Sequence, residues 1–278
     1  MDSIVKQKDC GFEIVVSDDG SEENCFVEVI KYFEERGFSD YSVILHEKNG
    51  GTVRNTLDAV GIANSKYVKL ISPGDALVSS DTINAWSRYL KQSGRQWSFG
   101  DALYYRRADD DRLDFIKRYC NPQVVDCYLK HDDVTCRMNY VAFDDIALGA
   151  SVLCDRELML RYLKKIVGKV VYAEDNTYRI MAFDNILPEY FPQKVVVYEC
   201  GYGVSTPGDD KWSQKIRADW ENTDEIMLAG CKDNDVIQHK IADIYKRKYS
   251  TGKLKRFRKL LDRGQLRMTL IRRFMPRM

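Results

Sequence analysis

The chain has 278 residues, 44% hydrophobic and 31% charged, with 43 lysines and arginines against 42 acids and a formal net charge of +1. That length suits one large domain, or a domain with an appendage, and that balance excludes a disordered chain. No apolar run approaches the roughly 20 residues that span a bilayer, and Met1 to Lys8 lacks the apolar core of a signal peptide.

The first half alternates strand and helix signals. Phe12 to Val16 is a β-rich run that ends in Ser17-Asp18-Asp19-Gly20-Ser21. Helical spacing follows from Glu22 to Arg36, with Phe26, Val29, Ile30 and Phe33 on one side. Tyr41 to Leu45 reads as a second strand, followed by the turn signal Asn49-Gly50-Gly51. A helix is predicted from Arg54 to Asn64, a strand from Lys66 to Ile71, and then the turn Ser72-Pro73-Gly74-Asp75. A helix from Asp81 to Leu90 and a strand from Trp97 to Tyr105 complete this half. Such alternation predicts an α/β fold with a mainly parallel sheet and helices on both faces. Ligands of these sheets sit beyond the carboxyl ends of the strands, where the polar turns at 18–19, 49–51 and 72–75 fall.

The second half is less regular. A helix is predicted from Asp155 to Ile166, a strand from Lys169 to Tyr172, then Ala173-Glu174-Asp175-Asn176 and a helix from Thr177 to Phe183. A strand from Lys194 to Tyr198 leads into the small-residue loop Gly201 to Gly208. Helices near 211–220 and 234–249 precede a basic tail. From Lys246 to Met278 there are 13 lysines and arginines and one acid, Asp262, so the rest of the chain is acidic. In the tail Leu254, Phe257, Leu260 and Leu261, and then Leu266, Leu270, Ile271 and Phe274, recur at helical spacing among the cations. A basic amphipathic helix of this kind suits an anionic membrane surface. A solvated terminal helix or an RNA contact would carry the same charge, although stacking aromatics are few.

Eight cysteines are scattered with no CxxC pair, and His46, His131 and His239 lie without metal-ligand spacing. A zinc or redox motif is therefore not expected, and a reduced cytoplasmic protein is.

Several stretches together resemble one family. Glu13 to Ser21 resembles the strand and Asp-Asp turn of family-2 glycosyltransferases of the GT-A fold. Asn49-Gly50-Gly51 with Arg54-Asn55 resembles their next motif, Lys66 to Leu77 their strand with a metal-binding acidic turn, and Tyr172-Ala173-Glu174-Asp175 their late Glu-Asp motif. The likeness runs over about residues 1–215. It implies a nucleotide-sugar-binding half at 1–105, an acceptor-binding half at 106–220, and C-terminal helices with the basic tail at 221–278. It also departs in two places. The family's first strand, about 25 residues including its turn and helix, has no counterpart ahead of Asp2-Ser3-Ile4-Val5. A monomer with two open strand edges is expected to be compromised, so the true start is expected upstream. The acidic turn offers Asp75 alone, which leaves a single carboxylate for a divalent cation, Mg2+ or Mn2+.

The resemblance implies an inverting transfer of sugar from a nucleotide diphosphate, with a uridine donor favoured. The acceptor would be a saccharide or lipid-linked saccharide, in bacterial surface polysaccharide assembly at the inner membrane face. Asp175 would be the general base, paired with Glu174. Asp18 and Asp19 would meet the uracil imide, and Asn49 and Gly50 the nucleotide, with Arg54 on base or phosphate. Asp75 would hold the cation, and Asp101 would face the acceptor. Ser205, Thr206 and Trp212 would belong to a loop closing over the donor. Each has a plainer reading: helix caps for Asp18, Asp19 and Asp175, turn positions for Asn49, Gly50 and Asp75, and surface side chains for the rest. A non-catalytic relative that only binds partners is the alternative function. A nucleotidyltransferase is disfavoured, because no Gly-rich basic loop follows the first strand.

Overall fold

The computed structural model describes residues 1–108, 112–116, 120–200, 210–248 and 263–274. A short helix α1 (Asp2–Val5) precedes strand β1 (Ile14–Asp18), helix α2 (Phe26–Glu35), strand β2 (Tyr41–Leu45) and helix α3 (Thr52–Ile62). The short strands β3 (Tyr67–Val68) and β4 (Ala76–Leu77), helix α4 (Thr82–Ser93) and the long strand β5 (Trp97–Arg107) follow. These lie close to the spans that periodicity predicts. Phe33 shows why: it is fully buried on the apolar side of α2, 4.6 Å from the Tyr41 ring and 5.5 Å from Phe38.

After β6 (Leu113–Ile116) the chain makes an excursion through α5 (Asp126–Leu129) and α6 (Asp133–Arg137), which runs into a π-helical turn at Met138–Ala142. It returns to the sheet as β7 (Val152–Asp155) and continues through α7 (Arg156–Ile166), α8 (Asn176–Phe183) and β8 (Glu189–Glu199). Helices α9 (Asp210–Ala229), α10 (Val236–Lys248) and α11 (Arg263–Phe274) complete the described chain.

The sheet is mixed rather than mainly parallel. β1 and β2 form a parallel pair by themselves, while the larger sheet runs β3-β7-β5-β8-β4 with β6 on β5. Within it only β5 and β8 are parallel, whereas β7 lies antiparallel to both β3 and β5. The expectation fails here because β7 comes back from the irregular excursion instead of from a right-handed β-α-β crossover.

Helices do cover both faces. Alternate residues of a strand point to opposite sides. Trp97, Phe99, Val152 and Cys154 enter one core cluster with α3, α7 and α8, while Leu153, Ala102 and Tyr104 enter the other with Trp86 and Leu90 of α4. Both buried tryptophans satisfy their N–H. Trp86 donates to Ser98 Oγ at 2.8 Å and Trp97 to the Ile186 carbonyl at 2.8 Å. Each ring removes roughly 150–250 Å2 from water without stranding a polar atom.

The predicted strand at Lys169 to Tyr172 does not form; Val170 makes only an isolated bridge with Val167. The carboxylate of Asp219, buried in α9, accepts the N–H groups of Val171, Tyr172 and Ala173 at 3.0, 2.6 and 3.1 Å. Those donors are the ones a ladder would need, so the run becomes a turn leading to Glu174 and Asp175. No helix among the described residues is long and apolar enough to cross a membrane. All eight cysteines are free.

Candidate active site

The turn after β1 is an acidic clamp. Asp18 Oδ1 accepts the Ser21 N–H at 2.8 Å, and this bond is the main reason its carboxyl sits below the usual range. Asp19 spends both oxygens on the next turn, accepting the N–H groups of Gly50 and Gly51 at 2.8 Å each. Asp19 therefore fixes the position of 49–51. Gly51 has φ +87°, and a Cβ there would lie 2.6 Å from the Val171 carbonyl oxygen. Only glycine lets α3 start against that carbonyl, which then accepts the Val53 N–H at 3.0 Å. Arg54 pairs with Asp58 one turn on, at 2.9 Å on the exposed side of α3.

The same contact carries the β1 end to the late acidic pair, because Val171 opens the turn that Asp219 holds. Trp212 packs edge-on against Tyr172, with ring centroids 5.0 Å apart, and the Lys215 ammonium lies over both rings. Asp175 stands at the N-terminus of α8 but makes no capping bond with its side chain. The plainer reading as a helix cap is thus not used. Burial raises both carboxyls of the pair. Glu174 is pushed up further by the neighbouring Asp175 charge, whereas Arg179 and backbone N–H groups hold Asp175 down. Arg179 and the backbone N–H groups thus favour the charged form of Asp175, while burial and the Asp175 charge favour the neutral form of Glu174.

Asp75 follows Gly74 in the turn before β4. Its Oδ1 accepts the Glu199 N–H at 3.1 Å, while its buried Oδ2 has no hydrogen-bond partner. Burial raises its carboxyl. The Glu199 carboxylate lies against Gly74, and Arg107 approaches it at 3.5 Å. Lys69 is half-buried nearby and donates to the carbonyls of Leu70 and, at 2.6 Å, Ala150. Burial pushes its ammonium down to about 8, against the pull of Asp75. One orphaned carboxylate oxygen beside a second acid fits a cation that takes its other ligands from a diphosphate. Among the described residues no three His, Cys, Asp or Glu side chains cluster as a self-sufficient metal site.

Lys69 also reaches toward the late acidic pair. It holds Ala150, and the adjacent Gly149 packs its backbone on Asp175, where a Cβ would come within 3.1 Å of the Asp175 Cβ. Asp18, Asp19, Asn49, Gly50, Trp212, Glu174 and Asp175 thus belong to one run of contacts, while Asp75 sits in a separate turn bonded to Glu199. Asp101 lies elsewhere on β5, at the register shift against β8, where it accepts the Tyr190 hydroxyl at 3.1 Å. Ser205 and Thr206 lie outside the described residues. Sequence reading missed Lys69, Asp219, Glu199 and Arg179. Lys69 interrupts the apolar run Tyr67 to Ile71, which was a usable signal. Asp219 sits in an ordinary polar helix and gave none.

Residues 1–112 match the family model Glycosyl transferase family 2. No curated protein matches the chain. Among solved structures, S. aureus TarS 1–349 in complex with UDP-GlcNAc superimposes with a TM-score of 0.56 at 13% identity, over 96% of this chain and 72% of that one. The same protein in complex with UDP gives 0.55 at 12% identity, over 92% and 68%. Mannosyltransferase PcManGT from Pyrobaculum calidifontis, in complex with GDP-Man and Mn2+, gives 0.52 at 12% identity, over 98% and 81%. This chain covers 44% of a longer TarS structure. At these identities the likeness establishes the fold.

Proposed function

Taking the chain as a glycosyltransferase of the GT-A fold with a family-2 match over residues 1–112, we propose that it moves a sugar from a nucleotide diphosphate to an acceptor hydroxyl with inversion. The observation that carries this reading is the Glu174–Asp175 pair, partly buried, uncapped and packed on Gly149, whose neighbour Ala150 accepts from Lys69. The solved relatives bind UDP, UDP-GlcNAc and GDP-Man, and the matched motifs favour a uridine donor here.

In this reading residues 1–105 hold the donor and 106–220 the acceptor. Asp18, beside the 49–51 turn, meets the base. Asp75 would hold a divalent cation, which when bound stabilises charge on the departing diphosphate. Lys69, a half-buried cation within electrostatic reach of Asp75, adds a positive charge on the same side. Asp175 accepts the hydroxyl proton as the acceptor oxygen bonds to the anomeric carbon. The carbon–diphosphate bond breaks on the opposite face, and its electron pair leaves with the nucleotide. Protonated Glu174 keeps a second negative charge away from the attacking oxygen. Trp212 and the following helix turn wall this side from water.

The acceptor is a saccharide or lipid-linked saccharide of a bacterial surface polysaccharide, met at the inner face of the membrane. Exposed Leu266, Leu270 and Phe274 recur every fourth residue on α11 among Arg263, Arg267 and Arg273, which supports a membrane-facing stripe. The separation of β1 and β2 from the larger sheet favours a second reading, a non-catalytic partner-binding subunit.

The test is transfer or hydrolysis of uridine sugars by the purified chain with and without Mn2+, beside calorimetry with UDP. Asp175→Asn is expected to lower turnover by about 10^2–10^4-fold while donor affinity stays unchanged. Unchanged turnover removes Asp175 as base, and absence of both turnover and nucleotide binding selects the non-catalytic reading.

A further inference from the structure

Helix α8 carries Asp175 at its N-terminal cap and Arg179 one turn further on. Residues four apart share a side of a helix, with Cβ atoms about 5–6 Å from each other. Arg179 is only 1% exposed, and its guanidinium lies over the Trp220 ring of α9, 4.2 Å from the centroid. Its Nη2 donates to Asp224 Oδ1 of α9 at 2.9 Å, to the Tyr245 hydroxyl of α10 at 2.9 Å and, at 3.4 Å, to Asp144 Oδ1. Tyr245 is fixed in turn, because its hydroxyl donates to the Val141 carbonyl at 2.6 Å.

The rest of the guanidinium is unspent. Nε and Nη1 are buried and have no hydrogen-bond partner. A buried donor left in this state costs about 1–3 kcal/mol, and apolar side chains of like volume often serve stability as well as a buried ion pair does. Packing alone therefore does not account for an arginine here. Arg179 forms its ion pairs with Asp224 and Asp144 and makes none with Asp175. Its charge reaches Asp175 across the helix turn without occupying a carboxylate oxygen. The other groups that face Asp175 are Glu174 in its own turn, Tyr178 of α8 and Tyr140 of the π-helical turn. Burial pushes both phenols well above their ordinary range, so they stay neutral, and Arg179 is the only cation of the set.

With Asp175 taken as the base, as in the function proposed above, we propose that Arg179 is its positioning residue: α9 and α10 hold a permanent positive charge one turn along α8, which keeps Asp175 a carboxylate with its oxygens available for the acceptor proton. An ion pair made directly with Asp175 would occupy the lone pairs that the proton needs. A cation one turn away stabilises the charged form and leaves them open. The anchors Asp224 and Tyr245 also make α9 and α10, which lie beyond the matched residues 1–112, part of the device that prepares the base.

The test uses the whole 278-residue chain with aspartate labelled at its side-chain carboxyl carbon. The Asp175 resonance is the one missing from Asp175→Asn, and its titration midpoint is followed by NMR beside the pH profile of UDP-GlcNAc hydrolysis with Mn2+. Arg179→Met is expected to raise the midpoint, move the acid limb of the profile up with it and lower kcat at pH 7 by about tenfold or more, while UDP affinity in calorimetry stays unchanged. Arg179→Lys, which keeps the charge, is expected to bring the midpoint most of the way back. Asp144→Asn removes an acid that offsets Arg179 and is expected to lower the midpoint. Arg179→Met leaves Asp224 buried without its cation; should that variant fail to fold, Asp144→Asn decides. A midpoint that stays put in the folded variants overturns the proposal, since an arginine that only packs would not move it. Wild-type kcat in Arg179→Met despite a shifted midpoint overturns it too. Unchanged turnover of Asp175→Asn removes the base assignment instead, and the NMR midpoint, which needs no turnover, tells the two failures apart.

Discussion

The carboxylate of Asp219 lies 2.6 Å from the backbone nitrogen of Tyr172, and it gathers the N–H groups on either side as well. One acid in α9 therefore holds the turn that delivers Glu174 and Asp175, and that supplies the Val171 carbonyl to the start of α3. Asp219→Ala leaves three backbone donors without their acceptor, one of them buried, and is expected to cost about 3 kcal/mol in urea unfolding. Asp219→Asn, which keeps acceptor capacity on one oxygen, is expected to cost about half as much. Equal stability of wild type and Asp219→Ala would show that the turn holds without it.

Gly51 and Gly50 are adjacent but unequal. Gly51→Ala puts a Cβ against the Val171 carbonyl at a positive φ, whereas Gly50→Ala meets only the Arg54 side chain at 3.4 Å and the Asp19 carboxylate. A loss of about 2–3 kcal/mol is expected for the first and under about 1 kcal/mol for the second. Thermal melts of the two variants side by side check the ordering.

Glu174 carries a pH dependence with a definite sign. Its carboxyl is raised in the folded state by burial and by Asp175, so the unfolded chain ionises first as pH rises. The stability of the neutral form is present below the unfolded pKa of about 4.3 and is lost as pH climbs through the raised value. Glu174→Gln should therefore melt about 2–4 °C above wild type at pH 9 and close to it at pH 4. A gain at pH 4 that vanishes at pH 9 reverses the assignment.

Asp75 and Asp19 separate binding from folding. Asp75 keeps one oxygen without a partner, and Asp19 keeps none. Asp75→Asn is expected to abolish any tightening of UDP binding by Mn2+ while leaving the melting temperature within about 2 °C. Asp19→Asn is expected to lower stability by about 1–2 kcal/mol through the 50–51 turn. Calorimetry with UDP, with and without Mn2+, and a melt of each variant discriminate them.

The turns of the candidate site were legible where chemistry is local. Asp18-Asp19, Asn49-Gly50-Gly51, Asp75 and Glu174-Asp175 each follow a strand-like run or precede a helix-like one, and turns with small and acidic residues announce themselves in sequence. Their division of labour was not legible. Asp18 and Asp19 are identical side chains one residue apart, yet one closes its own loop through Ser21 while the other clamps a turn about 30 positions away. Arg179 reads as an ordinary helical arginine, yet it is buried over Trp220 and bonded to Asp224 and Tyr245 at 2.9 Å.

The sequence by itself determined the longer helices and which turns are acidic, because periodicity and turn chemistry act over a few residues; the short helices α5 and α6 carry too few turns to show a period. Tertiary structure decided that β7 runs against its neighbours, that residues 169–172 form a turn instead of a strand, and that β1 and β2 stand apart from the larger sheet. Those outcomes depend on which backbone groups find partners across tens of residues. A backbone donor bonds whichever acceptor the fold brings within about 3 Å, and no local pattern encodes that choice.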